Sequence, residues 1–135
     1  MRIVVDTNVF ISGVFFSGPP YKILNAWRDG LVQLIVSEEI LNEYREVGDR
    51  LQDSYPNVDP NPFLELVVKN AKLVVGAKLD NQICDDPDDD KFFSCAVSGK
   101  CRLVVSGDKH LLNASGYRKI EVVKPRDFLE RYLRH

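Results

Sequence analysis

The chain has 135 residues, with 18 Lys and Arg against 20 Asp and Glu for a net charge of −2. That balance excludes a broad basic surface for passive nucleic-acid binding, but not an enzyme acting on nucleic acid, because metal ions can neutralise a local acidic site. No apolar run reaches the roughly 18 residues of a membrane-spanning helix, and the opening MRIVVDTNVF lacks the apolar core and cleavage site of a signal peptide, so a cytoplasmic protein is expected.

The length suits one domain, 1–135. Residues 2–5, RIVV, read as its first strand. PPYKILNAWRDG reads as a helix, with proline at its start and Gly30 at its end. QLIV at 33–36 is the second strand. SEEILNEYREVGDRL follows as a helix capped by Ser37, with an apolar stripe of Ile40, Leu41, Tyr44, Val47 and Leu51. A proline-rich connection over 53–62 leads to the helical NPFLELVVKNA and to a third strand, KLVV at 72–75. DPDDDKFFSCAVSG reads as a helix, RLVVS at 102–106 and IEVV at 120–123 as strands, and RDFLERYL as a closing helix. The strands are short, β-branched and almost continuously apolar, as in a parallel sheet covered on both faces. Their alternation with helices predicts an α/β fold with a mostly parallel sheet. Cys84, Cys95 and Cys101 form no C-x-x-C pair, and His110 and His135 are far apart in sequence, so no zinc site is expected.

Sites in such sheets form beyond the carboxyl ends of the strands. Asp6 follows the first strand and Asp108 follows the fourth, so both fall at the same edge. Either aspartate could equally cap the next helix, but the pair points to a site. Among the glutamates of the 37–51 helix, Glu43 lies nearest the apolar stripe, one turn from Ile40 and Val47. The run CDDPDDDKFFSC packs five aspartates into six positions. Asp86 before Pro87 fits an N-cap, and Asp88 and Asp89 suit a first helical turn. Asp90 shares a face with Phe93, Ser94 and Val97 and can point inward; Asp89 shares one with Phe92 and Ala96 and is also permitted. Converging carboxylates repel, by about 4 kcal/mol for two at 4 Å near a protein surface. An all-oxygen donor set suits Mg²⁺ or Mn²⁺, and hydrolysis of a phosphodiester is the chemistry that follows.

The segments VVDTNVFISG, SEEILNEYREV, DDPDDDKFFSCAVSG and LVVSGDKHLL resemble, in order and over nearly the whole chain, the PIN-domain family, close to members that serve as toxins of toxin–antitoxin systems. The resemblance implies a Rossmann-like α/β/α sandwich and a Mg²⁺- or Mn²⁺-dependent ribonuclease. Its acids carry over to Asp6, Glu43, Asp90 and Asp108, with Asp90 preferred to Asp89 by its distance from Asp108. Asp6, Asp90 and Asp108 would ligate metal, and Glu43 would ligate it or orient the attacking water. Asn8 and Ser106 match supporting polar positions; Ser106 stands where threonine is frequent. An RNA substrate, an antitoxin partner and a homodimer using Trp27 and nearby apolar residues are further implications. Two other readings are a PIN module that binds RNA or protein without cutting, and an aspartate-based phosphotransfer domain. The latter fits poorly, since the first motif is D-T-N and Lys109 follows Asp108 directly.

Overall fold

The computed structural model describes residues 1–133; His135 lies outside them. Five strands form one parallel sheet: β1 (Arg2–Val5), β2 (Gln33–Ser37), β3 (Lys72–Val74), β4 (Leu103–Val105) and β5 (Glu121–Val123), in the spatial order β3-β2-β1-β4-β5. Among the described residues seven α-helices flank it: α1 (Thr7–Phe15), α2 (Pro19–Arg28), α3 (Glu38–Ser54), α4 (Asn61–Asn70), α5 (Asp90–Ser98), α6 (Lys109–Asn113) and α7 (Pro125–Tyr132). The predicted α/β/α sandwich is the observed architecture, and the sheet is parallel throughout.

The central strands behave as their composition requires. Ile3, Val4 and Val5 of β1 and Leu34 and Ile35 of β2 are wholly buried, as are Val104 and Val105 of β4. Only a sheet covered on both faces can hide consecutive residues, because successive side chains point to opposite faces. β3 departs from this. It is an edge strand, and Leu73 is 64% exposed and Val75, just beyond it, 88%. Its apolar run looks like the others but lacks a neighbour on one side.

Two helices have no counterpart in the pattern of the sequence. α1 carries TNVFISGVF and is buried at seven of nine positions, so it shows no polar face to reveal its period. It packs closely on α2: a Cβ at Gly13 would lie 2.6 Å from Leu24 Cδ1 and 2.9 Å from the Pro20 carbonyl oxygen, which only glycine avoids. α6 has just five residues. Trp27 is buried on α2, 6% exposed, and belongs to the core. All three cysteines are buried and unpaired. No described helix is long and apolar enough to cross a membrane.

Strands β2 and β3 extend the sheet to one side of β1, whereas the chain later returns to place β4 and β5 on the other. The crevice beyond the carboxyl ends of β1 and β4 is therefore where strand order reverses, the usual place for a ligand in an open α/β sheet.

Candidate active site

Asp6 leaves β1 and caps α1, its Oδ1 accepting from the Val9 backbone N–H at 2.8 Å. Its Oδ2 accepts from the Ser106 hydroxyl, and Ser106 Oγ in turn accepts from the Asp108 backbone N–H at 2.9 Å. One buried serine thus ties together the chain ends that leave β1 and β4. Asp108 caps α6, with Oδ1 accepting from the His110 N–H at 2.7 Å. Both aspartates therefore cap helices and also line the crevice.

Glu43 reaches the same crevice from α3. Its neighbour Tyr44 is wholly buried, stacks on Phe10 with ring centres 4.1 Å apart, and donates its hydroxyl to the Val5 carbonyl. That anchor locks α3 to α1 and to the end of β1, and so fixes where Glu43 emerges. The Glu43 carboxylate is held at both oxygens: Thr7 Oγ1 donates to Oε1, and the Lys91 ammonium pairs with Oε2. Lys91 also pairs with Asp88 Oδ2 at 2.9 Å.

The aspartate run divides differently from the helical-wheel expectation. Asp86 does cap, accepting from the Asp88 N–H at 3.0 Å, but the turn it opens is a 3₁₀ turn, Pro87–Asp89, and α5 begins only at Asp90. Asp89 lines the crevice with Asp6, Thr7, Asn8, Glu43, Asp88, Phe92 and Asp108. Asp90 does not line it. Its Oδ2 accepts from the Ile83 N–H at 3.0 Å and its Oδ1 from the Cys84 N–H at 2.7 Å. One and two turns further on, Ser94 and Ser98 donate to the carbonyls of Ala77 and Val75. Asp90, Ser94 and Ser98 form one polar stripe that holds the 75–84 segment against α5. The expectation that Asp90 is the inward acid is thus corrected. It does point into the protein, but toward backbone donors, because its face of the helix is the one this segment covers.

Electrostatically, the crevice is short of cations around three of its acids. Burial pushes the Asp6 carboxyl up to about 6; the Ser106 hydroxyl and Val9 N–H oppose this, and Asp108 and Asp89 add to it. Asp89 is also raised, by burial first and then by Asp108 and Asp86, against smaller opposing effects of His110 and Lys91. Among the described residues no Lys, Arg or His pairs with Asp6 or Asp108; Asp89 has His110 Nδ1 at 3.5 Å from its Oδ2. The triple of acidic and histidine ligand atoms that gathers within 4.8 Å is Asp86, Asp89 and His110, at the rim, rather than the four acids expected. Sequence reasoning missed Thr7, Lys91 and His110. Lys91 had a legible signal: a cation in the first turn of a helix opposes the helix dipole, and such a residue calls for an acid partner.

Residues 2–110 match the PIN domain. The chain belongs to the PIN-domain family. PIN domains are generally nucleases and typically use a divalent metal. A relative from Methanocaldococcus jannaschii, itself uncharacterized, is 26% identical over 145 residues, covering 98% of this chain and 92% of its own. The family match takes in β1, α1, α3, the Pro87–Asp89 turn, α5, β4 and the start of α6, and with them every residue that lines the crevice except Leu111.

Proposed function

We propose that this PIN domain is a metal-dependent ribonuclease whose ion is held by Asp6, Asp89 and Asp108. The observation that carries the reading is the buried Asp6 carboxyl, raised to about 6 beside two further acids, with no cationic side chain paired to it among the described residues. The donors fit a hard cation. They are carboxylate oxygens, and each Asp6 oxygen that accepts one hydrogen bond keeps a second lone pair. Mg²⁺ or Mn²⁺ there supplies charge for a phosphate oxygen and a water of lowered pKa.

The chain's own groups do the positioning. Ser106 sets the orientation of Asp6 relative to Asp108. Thr7 and Lys91 fix Glu43 with lone pairs left to orient a water along the line of attack. Asn8, exposed at the crevice, offers a polar contact to the substrate. Water adds to phosphorus and the 3′-oxygen leaves. Purified protein should cut single-stranded RNA with Mn²⁺ or Mg²⁺ and stop with EDTA. Full cleavage in chelator sinks the metal mechanism, and tight RNA binding without cleavage in Mn²⁺ favours a non-cutting module. A toxin role with an antitoxin, and a homodimer, extend this proposal. Growth arrest on expression, relieved by Asp89→Asn, tests the toxin role.

A further inference from the structure

We infer that Lys91 takes the place of a second cation in the crevice, so that the site takes one divalent ion per chain. The inference rests on the function just proposed.

Five of the six acids that line the crevice fall into two groups; Glu46 and the cation Arg50 also line it and belong to neither. Asp108 and Asp89 raise the cost of the Asp6 charge, Asp108 raises that of Asp89, and none of the three has a Lys or Arg partner among the described residues. Glu43 and Asp88 share a single ammonium, that of Lys91. This lysine is no loose surface contact. Its side chain is 9% exposed, and its Nζ lies 5.5 Å from the centre of the ring of Phe92, which lines the crevice. Thr7 holds the other Glu43 oxygen, so the carboxylate cannot readily swing away from the lysine. Carboxylate-rich sites that take two ions place them about 3.5–4 Å apart. Here the second carboxylate group already faces a fixed positive charge supplied by the fold, and a divalent ion drawn to Glu43 would meet that charge at close range. Lys91 is on this account a positioning residue. It keeps Glu43 fixed, and it leaves the metal to the aspartates.

The test is the number of Mn²⁺ ions taken up by the full chain, measured by titration calorimetry near pH 7 and by Mn²⁺ electron paramagnetic resonance. The expected counts are one for the wild type, two for Lys91→Met and one for Lys91→Arg. The double variant Lys91→Met/Glu43→Gln should return to one, because the second carboxylate is gone. A lysine that only supported the fold would leave all four counts the same. Lys91→Gln, which keeps a hydrogen-bond donor for Glu43, replaces the methionine variant should that one fail to melt cooperatively in EDTA; its expected count is also two. Two ions in the wild type, or one in a folded Lys91→Met or Lys91→Gln protein, overturns the inference while leaving a metal-dependent nuclease intact. No uptake by the wild type overturns the proposed function and this inference with it.

Discussion

Asp89 and Asp90 are adjacent in sequence and chemically identical, yet the fold gives them opposite work. Asp89 closes a 3₁₀ turn and turns its carboxylate to a crevice where other acids surround it. Asp90 opens α5 and gives both oxygens to backbone N–H groups of the segment packed on that helix. One charge faces other acids with only the His110 imidazole beside it, and the other is consumed in holding the chain. A cluster of like charges is therefore poorly described by its net charge. What counts is which oxygens still have lone pairs facing an open space.

The sharpest way to break that contrast is to neutralise each acid in turn. Asp89→Asn should cut the rate of Mn²⁺-dependent RNA cleavage about a thousandfold, or about 4 kcal/mol of barrier, while Asp90→Asn stays within a few-fold of wild type. Steady-state cleavage of a labelled single-stranded RNA reads both. Equal losses would mean that Asp90 is part of the site despite its backbone partners.

Asp6 combines both kinds of work, and pH should separate them. Its folded carboxyl titrates near 6 instead of 3.8, so the fold favours the protonated form. That favourable contribution is complete below about pH 4 and is lost as pH rises through 6. The loss amounts to about 3 kcal/mol in metal-free protein, with Asp89 acting in the same direction. Urea melts in EDTA between pH 4 and 7 should show the stability gap between Asp6→Asn and wild type moving in the variant's favour by about that amount. A gap that stays constant would show that burial does not burden the Asp6 charge.

Much of this arrangement is legible in the sequence. The five strands were legible because runs such as RIVV and RLVVS have one plausible home, and Asp6 and Asp108 followed from strand direction alone. Glu43 was found by its angle to the stripe of α3. The misses have local causes. α1 is apolar nearly all round and rich in β-branched residues, so it lacks the polar face that marks a helix. β3 carries the composition of a central strand at an edge. The preference for Asp90 over Asp89 rests on spacing to Asp108, which carries no sign that Pro87–Asp89 forms a 3₁₀ turn and leaves Asp89 on the crevice. The 75–84 segment that claims Asp90 is bound by tertiary contact, which no periodicity can announce.

A stability measurement sharpens the same contrast from the other side. Asp90→Ala leaves the N–H groups of Ile83 and Cys84 without their acceptor, and Cys84 is buried. The expected cost is about 2 kcal/mol, seen as a drop of several degrees in Tm. Asp89→Ala should melt no lower than wild type in EDTA, since it removes a repelling charge.

Asp88 is the smallest case and the control for the others. It belongs to the same run and lines the same crevice, and it pairs with Lys91 at 2.9 Å, but its side chain is 75% exposed. An exposed pair is worth roughly 0–1 kcal/mol, because water and salt already screen it. Lys91 keeps its pairing with Glu43 when Asp88 is gone. Asp88→Asn should therefore change thermal stability by no more than about 0.5 kcal/mol and leave cleavage within a few-fold of wild type. Melting curves and cleavage rates at low and high salt check both expectations. An effect on cleavage comparable to that of Asp89→Asn would mean that the boundary between uncompensated and compensated charge has been drawn one residue too late.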